Sequence, residues 1–265
     1  MFSLFGPRLP IDADELEFQL ATFKWLMGQF GPVANDLVLP TPEHFPLTGA
    51  RGEAGVREVF DAVRVAAGMA DWPCALEAGV SDRPVEAGNA HLLRHHGAPA
   101  PCGTFRVEEG LAGRHGIITY NPAMARDPPG LAATFAHELG HYLMATAAGT
   151  PPGGWDLHEL HTDLTAVYLG FGIFLANGAR SFHQFQSGGE MGWSSRTQGY
   201  LSEGALVTAT VVVERLAGRD PMAAEPFLKD YLRKDLKRAV RALAKTAPDM
   251  NAAVEAVDLE EYGSA

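Results

Sequence analysis

The stretch His137-Glu138-Leu139-Gly140-His141 constrains this chain more than any other part of it. On a helix, residues four apart share a face, so His137 and His141 can aim both imidazoles at one point. Neutral imidazole is a good zinc ligand, and Glu138 can reach a water at that point as general base. The neighbours Phe135, Tyr142 and Leu143 carry no charge. That suits a helix buried beneath the floor of a site, where a charge would be costly to desolvate. The helix is expected from Pro129 to Ala148, with Pro128 and Pro129 at its start and the run Gly149-Thr150-Pro151-Pro152-Gly153-Gly154 after it.

A second helical pattern follows from Trp155 to Tyr168. Glu159 and Asp163 are four apart on it, so one carboxylate can bind a metal. The other can accept the N–H of a ligand histidine and fix its tautomer. The short glycine-proline connection brings this helix back against the first, around one metal. At about 100° per residue, His158 and His161 point away from Glu159. With a different roll of the helix, Asp163 or one of these histidines is the third ligand instead.

These residues resemble the gluzincin metallopeptidases, the thermolysin-like class, in which H-E-x-x-H is followed by E-x-x-x-D on a second helix. The resemblance implies Zn2+ held by His137, His141 and Glu159, with Glu138 as base and Asp163 as the partner of His137. It implies hydrolysis of a peptide or protein substrate. It also implies a mostly helical α+β fold, a zincin-like core with a small mixed or antiparallel sheet packed on the H-E-x-x-H helix. The chain is similar too to small bacterial proteins of unassigned role that carry this pattern and a later Gly-Tyr-Leu-Ser-like segment, here Gly199-Tyr200-Leu201-Ser202. No equivalent of the family's substrate-binding sequence or later catalytic histidine can be placed. His183 and Tyr200 are the candidates to stabilise the oxyanion. By the same analogy Ile117 to Tyr120, read as a sheet edge, would pair with extended substrate; read as an ordinary sheet strand, which fits the residues as well, they would not. Two other classes stay open: a catalytically silent zinc-binding regulatory or interaction protein of this fold, and a hydrolase of non-peptide amides.

Composition narrows the remaining choices. A net charge of −11 argues against a nucleic-acid partner, since phosphate binding needs concentrated positive charge. The start of the chain carries no basic leader followed by an apolar run, and the most apolar stretch, Tyr168 to Ala176, is too short to span a bilayer. A cytoplasmic address without a membrane span is the expectation; nothing in the sequence speaks to oligomeric state. Cys74 and Cys102 form no disulfide framework, and with His91, His95 and His96 between them they lack zinc-ribbon spacing, so free thiols are expected.

Three units are expected: a helical appendage over 1–72, the core over 73–217, and a C-terminal helix with an acidic tail over 218–265. The appendage holds helices over 11–35 and 53–70, joined by the extended, proline-rich Leu39 to Pro46. Strands are expected at Cys74–Ala78, Gly103–Val107 and Gly116–Tyr120. The second site helix turns almost wholly apolar from Leu164 to Ala176, so it should run through the core. A polar loop over 177–199 carries His183, a helix follows over 202–217, and a basic amphipathic helix is expected from Glu225 to Lys245.

Overall fold

The computed structural model describes residues 8–79, 102–110, 113–186 and 200–262. Mostly helical, it carries one small mixed sheet, an α+β arrangement. Two helices come first, α1 (Ala13–Phe30) and α2 (Glu53–Ala66). Strands β1 (Cys74–Ala78), β2 (Gly103–Gly110) and β3 (Gly113–Tyr120) follow. Six helices complete the order: α3 (Pro128–Met144), α4 (His158–Tyr168), α5 (Gly172–Gln186), α6 (Glu203–Leu216), α7 (Asp230–Thr246) and α8 (Met250–Glu255).

Helix α3 is apolar on nearly every side and buried from Leu131 to Met144 apart from His141. Such a helix survives only when neighbours cover it all round. The Asp127 side chain starts it, accepting the Gly130 N–H at 3.1 Å, and two prolines occupy its first turn, where no intrahelical donor is needed. The sheet covers one flank: Phe105 of β2 stacks on Tyr142 at 5.1 Å, and Tyr120 of β3 meets Phe135 edge-on at 6.3 Å. Phe60 of α2 packs on the same Phe135 at 5.2 Å. Helix α4 covers the opposite flank. Gly140 permits this contact, because a Cβ there would stand 2.9 Å from the Thr162 carbonyl oxygen and 3.1 Å from Thr162 Cγ2.

The strand order is β1-β3-β2, with β1 parallel to β3 and β2 antiparallel to it. This corrects the expectation for Ile117 to Tyr120. They lie in the central strand, with Ile117 and Ile118 paired to Ala75 and Leu76 on one side and to Arg106 and Phe105 on the other. Their backbone groups are therefore engaged, and among the described residues the outer edge beside α3 belongs to β2.

The second site helix does not run on to Ala176. It stops at Tyr168, and Gly170, at φ +100°, turns the chain into α5. The Gly170 carbonyl accepts the Val38 N–H at 2.9 Å, so the break is a docking point for the chain after α1. Residues 177–186, expected as loop, continue α5 as helix; the rest of that expected loop, 187–199, lies outside the described residues. The basic helix begins later than expected, at Asp230, after a 3-10 turn over Pro221–Phe227 where Pro226 blocks a regular helix start. Within the expected acidic tail, Glu255 closes the short α8 and Glu260–Tyr262 form a 3-10 turn.

Among the described residues one apolar cluster draws on α1 (Phe23, Leu26), α2 (Phe60), α3 (Phe135, Leu139), α6 (Val211, Val212) and α7 (Leu232, Leu236). Among the described residues no helix is long and apolar enough to cross a membrane. Cys102 is buried and Cys74 half-buried, and both are free thiols. Burial pushes each up to about 11. Both should therefore resist alkylation at pH 8, where little thiolate forms. Iodoacetamide labelling followed by mass spectrometry should find each modified far more slowly in native than in urea-unfolded protein, and equal rates would contradict the burial.

Candidate metal centre

Two consecutive helices supply the donors. His137 and His141 project from one face of α3, and Glu159 comes from the first turn of α4. One atom from each of the three lies within 4.8 Å of the others, so the group could hold a metal ion. Glu159 Oε2 is 3.2 Å from His137 Nε2 and 3.6 Å from His141 Nε2. Donors bonded to one tetrahedral zinc at about 2.0–2.1 Å stand roughly 3.3–3.4 Å apart, so the spacing fits a metal of this size.

Both imidazoles are held by their far nitrogens. His137 Nδ1 donates to Asp163 Oδ1 at 2.9 Å, which leaves Nε2 aimed at the shared point. The other Asp163 oxygen, Oδ2, accepts the Leu201 N–H at 2.9 Å, so this carboxylate also seats the Tyr200–Leu201 segment beside the site. His141 Nδ1 donates to Thr162 Oγ1 at 3.1 Å, and that hydroxyl donates on to the His158 carbonyl at 2.7 Å. The role of Thr162 was not read from the sequence. Its signal was present, since Thr162 sits on α4 beside Asp163, but a threonine at helix-interior spacing is unremarkable without coordinates.

The charges interlock. Burial opposes a charged His137, yet Asp163 and Glu159 outweigh it and hold its pKa well above the usual histidine value. Burial likewise opposes the Glu159 carboxylate, but the surrounding imidazoles, His141 foremost, hold it well below the usual carboxylate range. Glu138 behaves differently. Burial pushes its pKa up, with only partial relief from His141 and His137. Its carboxyl lies against the first residue of β2: a Cβ at Gly103 would stand 3.0 Å from Glu138 Oε1 and 2.6 Å from Thr134 Cγ2. Gly103 thus lets the strand backbone approach Glu138.

The other histidines divide. His161 turns away, as its helix position requires. It is fully buried between Thr22 Oγ1 at 3.2 Å and the Pro152 carbonyl at 2.9 Å, and burial pushes its pKa down to about 4. His158 does not turn away, and that expectation is corrected. It is the first residue of α4, directly after the 3-10 turn Trp155–Leu157, and its Nε2 lies 3.1 Å from Glu159 Oε1. The Tyr200 ring lies 5.5 Å from that of His137. His183 falls within α5, and its side chain lies outside the described residues. A small cavity of about 20 Å³ opens beside His137 and Asp163 between Tyr200, Leu201, Leu175 and Leu206.

Gly140 ties this geometry to stability. In Gly140→Ala the new methyl must push α4 and Thr162 away from α3, at a cost of about 1–3 kcal/mol for overpacking. Urea unfolding should show that loss, and metal affinity should fall with it because Thr162 holds His141. An unchanged midpoint would mean that the helices part freely. Compared with known proteins, the chain matches no family model, no curated protein and no solved structure.

Proposed function

We propose that this protein is a zinc-dependent peptidase with a zincin-like core, made of α3, α4 and the sheet on the flank of α3. The observation that carries the reading is the convergence of His137 Nε2, His141 Nε2 and Glu159 Oε2 on one point, with a buried carboxylate, Glu138, on the same helix turn. Two imidazoles and one carboxylate are the donor set of catalytic rather than closed structural zinc sites, because three protein ligands leave a position open. Zinc held there supplies Lewis acidity, polarising a substrate carbonyl and acidifying water.

The chain's own groups account for the rest. Glu138 accepts a proton at its carboxylate from the attacking water and returns it to the leaving amine nitrogen. Its burial raises its proton affinity, which favours the accepting role. Tyr200, seated through the Leu201 N–H on Asp163, places a phenol next to His137, where it can donate to a carbonyl oxygen as charge develops. The outer edge of β2, unpaired among the described residues and beginning beside Glu138 at Gly103, is where an extended peptide can add as a further strand.

The test is digestion of a peptide library by zinc-loaded protein, analysed by mass spectrometry. Cleavage at defined bonds that stops on chelation and returns with zinc is expected. Full zinc occupancy with no cleavage of any peptide would replace this reading with a silent zinc-binding protein.

A further inference from the structure

The Glu159 carboxylate is shared between two sides. Oε2 faces His137 Nε2 and His141 Nε2, at 3.2 and 3.6 Å, whereas Oε1 faces His158 Nε2 at 3.1 Å. The other ring nitrogen, Nδ1, lies 3.1 Å from the Trp155 carbonyl. That carbonyl belongs to the 3-10 turn Trp155–Leu157, entered through Gly154 at φ +86°. The main chain of the same residue acts on the other side of the site. The His158 carbonyl accepts from the Thr162 hydroxyl, whose oxygen accepts from His141 Nδ1. Residue 158 therefore supports two of the three donors, one through its side chain and one through its backbone.

We infer that His158 is a positioning residue for Glu159: by occupying Oε1 it leaves Oε2 as the single carboxylate oxygen available to a metal. This rests on the metal reading above. A carboxylate can bind a cation through one oxygen or both. Binding through both would fill the position that a catalytic site keeps open. A ring N–H at Nε2 held against one oxygen selects the one-oxygen mode. The side chain of His158 is partly exposed at the start of a helix, so its replacement leaves the core intact.

The experiment compares wild type, His158→Leu and His158→Gln, each stripped of metal and reloaded with zinc or cobalt. Zinc affinity is read by chelator competition, and the visible absorption intensity of the cobalt form reports coordination number. In His158→Leu, zinc affinity should fall about 10- to 100-fold, and the cobalt absorption should weaken as Glu159 binds through both oxygens. His158→Gln, whose amide N–H can reach Oε1, should restore both. Leu and wild-type proteins that agree in affinity and spectrum would overturn the inference. So would equal loss in both variants, which would make His158 a ligand itself. Wild type that takes up neither metal would overturn the metal reading as well; wild type that binds normally beside an unaffected His158→Leu would overturn this inference alone.

Discussion

Glu138→Gln protein should keep its metal and lose about 10²–10⁴-fold in peptide hydrolysis, the usual contribution of a positioned general base. The glutamine has the shape of the glutamate and fits the same space against Gly103, where a Cβ would already stand 3.0 Å from Oε1. It removes only the capacity to take up a proton. None of the three donor atoms at the metal centre belongs to residue 138. Zinc per chain and kcat/KM on one cleaved peptide, measured on the same preparation, decide the point. Hydrolysis within a few-fold of wild type would remove Glu138 from the reaction, and loss of zinc would show that it holds the site rather than acting in it.

Glu159→Ala has the second large effect, on metal. Wild type purified without added zinc should carry about one ion per chain and the variant close to none, since two imidazoles alone make a weak site. The variant should nevertheless fold, because the apolar cluster around α3 and α4 does not include Glu159. Elemental analysis on both proteins is the measurement. Full zinc in both would transfer the third ligand to another residue; His158, already 3.1 Å from Glu159 Oε1, would be the first to test.

Helix periodicity made much of this arrangement legible. Four-residue spacing paired His137 with His141 on one helix face and Glu159 with Asp163 on another, because helix geometry is local and nearly invariant, but it left open which residue of the second helix joins the two histidines. Strand order was not legible. Ile117 to Tyr120 read equally well as edge or centre, and only the parallel pairing with Cys74–Ala78 puts them in the centre. The break at Gly170 lies inside an apolar run, and the segment that docks on it, Asp36 to Val38, is distant in sequence. His158 was misplaced for a related reason. Angular position describes side chains in the middle of a helix, and His158, at the first residue of α4, escapes it.

The hydrogen bonds to Asp163 and Thr162 have one more consequence. Because each imidazole is already oriented by a partner on α4, capturing an ion requires little side-chain ordering, which otherwise costs about 0.5–1.5 kcal/mol for each flexible side chain immobilised. The two helices meet through Gly140 and an apolar interior rather than through the ion. Unlike a zinc finger, whose folding free energy is its metal-binding free energy, this chain has its three donors in place within the fold: an ion would enter as a guest, and its removal should leave the architecture standing.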